Sequence, residues 1–232
     1  MTAFLEAFFD DILDCEWRWH RFEWQSRSAI HAHGCARFKN DPGLINLTTL
    51  VYKGRQAKTK LEESRNIVEI AELVEIIKIG EESETKIITY VDNLITAVNT
   101  RTIPEAAVVK EPHPCSVDYV DIVDKDLDYE DICNCCQRHV CRILGYCKSS
   151  SDSKRGKCRF DYPLPLEEKT KIEFIETKRS IRAEIKLKRN DSFLNMHNRL
   201  ITQNWRANTD MQIILDISAC INYMVKYATK GK

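Results

Sequence analysis

Two histidines separated by one residue, His31 and His33, form the first group in the chain whose spacing could do chemistry. Successive side chains of a strand alternate between faces, so a strand here would place both imidazoles on one face, about 7 Å apart. Two imidazoles so placed can converge on one divalent cation. Glu23 and Gln25, in the preceding strand, have the matching face parity, and we favour Glu23 because a carboxylate suits Mg²⁺ or Mn²⁺ better than an amide does.

Two tyrosines four residues apart form the second group. Tyr223 and Tyr227 would stack on one edge of a helix over residues 216–229, with Lys226 and Lys230 further toward solvent. A tyrosine oxygen can attack a DNA phosphodiester and stay joined to the 5′ phosphate, while a metal polarises that phosphate and lysines balance its charge. On the helix alone, tyrosines at the core boundary with hydroxyls in water remain the simpler interpretation.

Cysteines supply the third group, since five of the ten lie between Cys133 and Cys147. In a reducing compartment such crowding indicates metal binding more than disulfides. Four ligands within 20 residues can close a tetrahedral zinc site, namely His139, Cys141, Cys147 and Cys158. Cys133, Cys135 and Cys136 are alternative ligands, and a cluster of free thiols is the alternative to zinc.

Several elements are expected to position these groups. Residues 16–25 and 30–38 alternate as two strands of a hairpin with a turn at 26–28, and residues 61–79 have the periodicity of a surface helix. A shorter helix or strand is predicted over 87–98, and the acidic run 118–131 is predicted to be solvated. The final helix is expected to pack through an apolar stripe of Ile217, Cys220, Ile221, Met224, Val225 and Ala228.

These elements predict an α+β fold, in which an antiparallel sheet carries the two histidines, helices pack on it and a small Cys/His module is inserted. We divide the chain into residues 1–130 with the metal-binding hairpin, the zinc module 131–166 and the basic part 167–232 with the tyrosine helix.

Composition limits the function classes. The chain has 232 residues, of which 43% are apolar, and it has neither a membrane-spanning apolar stretch nor a basic leader, so we expect a soluble, intracellular protein with no membrane partner. The formal net charge is zero, but residues 1–136 have 15 Lys/Arg and 25 Asp/Glu, whereas residues 137–232 have 20 and 10. The second part is therefore the part suited to phosphate.

Together these motifs resemble the HUH endonuclease domain of Helitron transposases, also called the Helitron helicase-like domain. The segments WRWHRFEWQSR (17–27) and HAHG (31–34) are similar to its aromatic strand and two-histidine motif. RND (189–191), WRAN (205–208) and CINYMVKY (220–227) resemble the blocks that end in its two-tyrosine helix. Between them, Gln137, His139, Cys141 and the segments YC (146–147) and CRFDYP (158–163) resemble its Cys/His insertion.

The resemblance implies that His31 and His33 bind the metal and that Tyr223 and Tyr227 are nucleophiles. It implies a single-stranded DNA substrate, nicked at transposon ends during rolling-circle-like transposition, in the nucleus. Lys226, Lys230 and Arg159 are expected to contact DNA. The family's helicase, normally in the same polypeptide, is absent from these residues, so we expect a truncated copy.

Two other functions remain open from the sequence. One is a catalytically inactive remnant that still binds DNA. The other is a zinc-stabilised interaction protein whose acidic first half binds a basic partner; salt-insensitive DNA binding would favour it.

Overall fold

A computed structural model describes residues 2–24, 30–101, 111–141, 147, 157–176 and 181–229. The fold is α+β, as predicted, and the strands in these ranges pair as two antiparallel two-stranded sheets. The chain forms two compact units: Met1–Tyr90, Glu173–Glu184 and Ile214–Lys232 make the first, and Val91–Ile172 and Ile185–Ile213 make the second. Both units are discontinuous in sequence, so they run across the predicted segments 1–130, 131–166 and 167–232, which stay predictions.

A β-hairpin carries the histidines of the first unit. Helix α1 (Thr2–Glu6) and a π-helical turn (Ala7–Ile12) lead into β1 (Cys15–Trp24), which pairs with β2 (Ile30–Phe38). The aromatic residues of β1, with Ile30 and Phe38 at the ends of β2, favour this extended pairing. Glu23 is the Cα partner of His31, and Arg21 is the partner of His33, so all four side chains leave the same face.

Two long helices follow the hairpin, α2 (Leu44–Glu63) and α3 (Ile67–Leu94). The predicted helix over 61–79 is wrong in its bounds, because the chain is extended at Ser64 and the Asn66 side chain accepts from the amide of Val68, starting a new helix. The predicted break before residue 87 is also wrong, since Ile87 and Val91 are fully buried on the continuing α3.

Helices α2 and α3 approach closely at a pair of glycines. A Cβ on Gly80 would lie 2.9 Å from the Cα atom of Gly54, so neither position has room for a side chain. The buried side chains on both helices, including Val51, Ala57 and Leu73, line this contact region. Burial of each large aliphatic side chain contributes about 1.5–3 kcal/mol.

The final helix, α6 (Ile217–Ala228), confirms the predicted element, with Asp216 capping its first turn. The predicted packing stripe is right only in part, at Cys220 and Met224, which are half-buried. Ile217, Ile221 and Val225 are 57%, 49% and 52% exposed. The half-buried residues are Cys220, Tyr223, Met224 and Tyr227, because the tyrosine rings themselves pack against the histidine strand.

The second unit is built around α4 (Lys125–Ile132) and α5 (Arg199–Trp205), after two short 3₁₀ turns at Pro114–Ser116 and Tyr119–Asp121. The acidic run 118–131 was predicted to be solvated, but the structure buries part of it. Asp124 caps α4, and the buried carboxylate of Asp128 accepts two hydrogen bonds, of 2.8 and 3.0 Å, from the buried guanidinium of Arg206. A buried carboxylate needs such a partner to remain charged.

The second sheet consists of β3 (Lys171–Glu176) and β4 (Ile181–Lys186), which the sequence analysis left inside a basic, mixed segment. Their alternation of apolar and charged residues is the signal that could have identified them. Among the described residues, no helix combines the length and apolar composition needed to cross a bilayer.

Candidate functional site

The first candidate site is centred on His33, on the hairpin of the first unit. Its Nε2 atom lies 3.0 Å from a carboxylate oxygen of Glu23, and its Nδ1 atom lies 3.5 Å from the hydroxyl of Tyr223. The hairpin register provides Glu23 and His33, and α6 provides the tyrosine. The imidazole of His33 thus lies between the carboxylate of Glu23 and the hydroxyl of Tyr223. Tyr223 is 190 residues away in sequence, and its hydroxyl is of a type that can act as a nucleophile.

The second tyrosine lies on the same histidine. The Tyr227 ring stacks on the His33 ring with centroids 4.0 Å apart, and the two tyrosine rings are 4.8 Å apart. The ammonium of Lys226 lies 5.6 Å from the centre of the Tyr227 ring. Both tyrosines and this lysine are therefore next to the histidine face, whereas Lys230 lies outside the described residues.

His31 lies further along the same face, exposed, with its ring 6.3 Å from that of His33. Within the described residues, His31, His33 and Glu23 do not form a group of three ligands close enough to share one ion, so the Mg²⁺ or Mn²⁺ site on the hairpin stays a prediction. The 3.0 Å between Nε2 of His33 and the carboxylate of Glu23 is a hydrogen-bond distance. The alternative ligand Gln25 lies outside the described residues.

Sequence analysis assigned no role to Arg21, which the structure places in this site. Its guanidinium donates to the main-chain carbonyls of Tyr227 and Ala228, the latter at 2.9 Å. The alternation of side chains along the strand could have identified Arg21. It lies two residues before Glu23, so it shares that strand face, and it is paired across the hairpin with His33.

A second candidate site, in the second unit, gathers His139, Cys141, Cys147 and Cys158, the four ligands favoured from the sequence. Their ligand atoms all lie within 4.8 Å of one another, and Nε2 of His139 is 3.5 and 3.3 Å from the sulfurs of Cys147 and Cys158. Ligands of a tetrahedral zinc ion lie about 3.3–3.8 Å apart. This group can hold a metal ion, and its donors suit zinc.

Local structure favours the metal-binding form of His139 and Cys158, whereas burial and the neighbouring thiols raise the pKa of Cys141 to about 11. Burial lowers the pKa of His139, which keeps the imidazole neutral, and its ring stacks on Tyr162 at 4.2 Å. Burial acts to raise the pKa of Cys158, but hydrogen bonds from the backbone at Phe160 and Tyr162 leave it below its ordinary value. A neutral imidazole and a deprotonated thiol, the thiolate, are the species that coordinate zinc.

The alternative ligands are elsewhere in the unit. The buried sulfur of Cys133 lies 3.6 Å from Nε2 of His197, and the sulfur of Cys136 lies 3.9 Å from the carbonyl oxygen of Arg206. Within the described residues, these two cysteines and Cys135 are not part of the four-ligand group.

Beside the Cys/His group, Arg159 and Phe160 form an exposed pair. The guanidinium lies over the aromatic ring, 4.6 Å from its centre, and Phe160 is 42% exposed while its ring edge meets His139. A cation combined with an exposed aromatic ring is a surface suited to phosphate and base stacking. Sequence analysis named Arg159 but not Phe160.

Comparisons of the chain with family models, with curated proteins and with solved structures give no significant match. What the protein does is therefore inferred from its own side chains and from the resemblance of its motifs.

Proposed function

We propose that this protein is a Helitron-type nuclease that nicks and rejoins single-stranded DNA through a covalent 5′-phosphotyrosine intermediate. The observation that carries the proposal is the placement of the Tyr223 hydroxyl 3.5 Å from His33, whose other nitrogen pairs with Glu23. Three residue types with complementary chemistry meet there, from strands and a helix far apart in sequence.

Tyr223 is the first nucleophile in this proposal. Its hydroxyl releases its proton as the oxygen attacks phosphorus, the bond from phosphorus to the 3′ oxygen breaks, and the 3′ oxygen takes up a proton as it leaves, so no proton is gained or lost overall. Tyr227, with its ring 4.8 Å from that of Tyr223, is placed to make the second attack, which transfers or rejoins the strand. Lys226 balances phosphate charge next to Tyr227.

The hairpin supplies the donors for a divalent cation. His31, His33 and Glu23 would hold Mg²⁺ or Mn²⁺, which supplies Lewis-acid polarisation of the scissile phosphate. The Cys/His group would hold zinc and stabilise the surface that presents Arg159 and Phe160 to the DNA strand.

The test is a covalent-adduct assay with labelled single-stranded oligonucleotides and Mn²⁺. We expect a denaturation-resistant protein–DNA adduct that is lost on chelation, is strongly reduced in Tyr223→Phe and is absent from Tyr223→Phe/Tyr227→Phe. Tyr52→Phe is the matched control, because Tyr52 packs on Phe174 with its ring 5.1 Å away and belongs to α2.

Failure of the assay is equally informative. A folded, Mn²⁺-loaded protein that binds the oligonucleotide without forming an adduct would contradict the nuclease proposal and favour the inactive DNA-binding remnant. An adduct that persists in the double variant would show that other residues are the nucleophiles.

A further inference from the structure

Arg21 joins the histidine hairpin to the tyrosine helix. It is the Cα partner of His33 across the hairpin, so both side chains leave the same face of the two strands. From there its guanidinium donates hydrogen bonds to the carbonyl oxygens of Tyr227 and Ala228, at the end of α6. Arg21 is thus paired with His33 across the hairpin and hydrogen-bonded to the backbone of Tyr227.

The end of a helix is where a cation binds most favourably. The last carbonyls of a helix have no intrahelical donor, and the aligned peptide dipoles give them partial negative charge. In α6 the backbone amide of Thr229 bonds to the carbonyl of Val225, and the carbonyls of Tyr227 and Ala228, further along the last turn, accept hydrogen bonds from Arg21. A charged donor gives these hydrogen bonds more than ordinary strength.

Helix α6 has little apolar burial to hold it in place. None of its residues is fully buried, and Ile217, Ile221 and Val225 are about half exposed, at 57%, 49% and 52%. Its position therefore depends more than usual on polar contacts with the hairpin.

We propose that Arg21 is a positioning residue, which fastens the end of α6 to β1 and so fixes the two tyrosine hydroxyls next to His33. This inference rests on the proposed nuclease function for its catalytic consequence. Displacement of reacting groups by about 1 Å can reduce a rate by about 100-fold, so fixing the helix has a direct effect on the chemistry.

The experiment compares Arg21→Met, Arg21→Lys and the control Arg18→Met. Arg18 lies on the same strand but on the opposite face, where it pairs with Asp10 at 2.7 Å. The first measurement is amide hydrogen exchange without DNA. We expect Arg21→Met to speed exchange in α6 by about 10- to 100-fold, the effect of losing charge-assisted hydrogen bonds. Exchange in β2 and α3 should stay unchanged.

The second measurement is adduct formation over a range of oligonucleotide concentrations. Arg21→Met should lower the rate at saturating DNA by about 10- to 100-fold, with little change in the half-saturating concentration. Arg21→Lys should recover part of the protection and part of the rate, since an ammonium can donate to one of the two carbonyls. Arg18→Met should behave as the unmodified protein in both measurements.

Three results would overturn the proposal: unchanged exchange in α6 of Arg21→Met, exchange that rises throughout the unit including β2, or an adduct rate unaffected by a loosened helix. The proposal would also be overturned if Arg21→Lys restored neither the protection of α6 nor the adduct rate relative to Arg21→Met. The effect of Arg21 would then come from packing of its side chain and not from its hydrogen bonds. If the unmodified protein forms no adduct, the nuclease proposal fails, while the exchange measurement still decides whether Arg21 holds α6.

Discussion

At the scale of single residues, the two nitrogens of His33 would connect the proposed metal site on the hairpin to the state of Tyr223. A neutral imidazole carries one proton, so one nitrogen donates and the other accepts. With Nε2 donating to Glu23, Nδ1 accepts from the Tyr223 hydroxyl. If Nε2 instead gives its electron pair to a metal, Nδ1 must carry the proton, and the tyrosine oxygen becomes the acceptor. Occupancy of the proposed metal site therefore reverses the direction of this hydrogen bond.

The Cys/His group leads to a prediction about zinc content. Cys158→Ser removes a buried ligand whose sulfur lies 3.3 Å from His139, so we expect the variant to lose bound zinc. Structural zinc sites contribute an apparent binding free energy of about 10–16 kcal/mol, so the melting temperature should also fall. Metal analysis by mass spectrometry and thermal unfolding provide the measurements.

Cys115→Ser is the matched control for this prediction, because Cys115 is exposed in the same unit and is not a member of the four-ligand group. It should retain zinc in the amount found in the unmodified protein. Zinc retained in full by Cys158→Ser would rule out the proposed ligand set.

At the scale of elements, local patterns predicted what depends on local sequence. Alternation identified β2, and the three- and four-residue spacing of apolar residues identified α6. The packing face of α6 was predicted only in part: Cys220 and Met224 are half-buried, but Ile221 is exposed and Tyr223 and Tyr227 take part in the packing, because Tyr227 stacks on His33. Contacts between distant segments, such as Arg21 with the end of α6, are not encoded in periodicity and required the structure.

The glycine contact between α2 and α3 leads to a prediction about stability. Alanine in a helix is favoured over glycine by about 1 kcal/mol, so Gly80→Ala would stabilise an isolated α3. In the folded unit the new Cβ would lie 2.9 Å from the Cα atom of Gly54 and 3.2 Å from the carbonyl oxygen of Leu50. Neither is a flexible side chain, so we expect overpacking to prevail and the free energy of unfolding to fall by about 1–3 kcal/mol.

Urea unfolding would measure this change, with Glu82→Ala as the control at an exposed position of the same helix. That control should change stability by less than about 0.5 kcal/mol. A Gly80→Ala protein as stable as the unmodified one would mean that the two helices can move apart without cost.

At the scale of the whole molecule, a net charge of zero conceals a strong asymmetry along the chain. The counts of 15 Lys/Arg against 25 Asp/Glu in residues 1–136 give −10, and 20 against 10 in residues 137–232 give +10. The Cys/His group, Arg159 and the tyrosine helix all belong to the basic part. Both compact units take residues from both parts, so this asymmetry lies along the sequence and not between the units.

The proposed function predicts salt-dependent binding of single-stranded DNA, with Arg159, exposed beside Phe160, as one of the contacting cations. Each phosphate contact contributes about 0.7 to the slope of log affinity against log salt concentration. We expect Arg159→Gln to weaken binding and to reduce the slope by about that amount. Fluorescence anisotropy of a labelled oligonucleotide across a salt series would measure both.

Lys58→Gln is the control, because Lys58 pairs with Glu81 at 2.7 Å on the acidic part of the chain. Its slope should match that of the unmodified protein. Binding that does not respond to salt at all would contradict the DNA-binding surface and favour the alternative of a zinc-stabilised interaction protein.

The hydrogen bonds from Arg21 have an evolutionary consequence, because they end on main-chain oxygens. A carbonyl oxygen is present whichever amino acid occupies position 227 or 228, so these hydrogen bonds can survive a change of either side chain, although the ring stacking on His33 does not. A descendant that had lost both tyrosines could keep this link between α6 and β1, and the link alone would not reveal the loss of the proposed activity. In such a lineage, the side chains at 223 and 227 would be the record of whether catalysis had been kept.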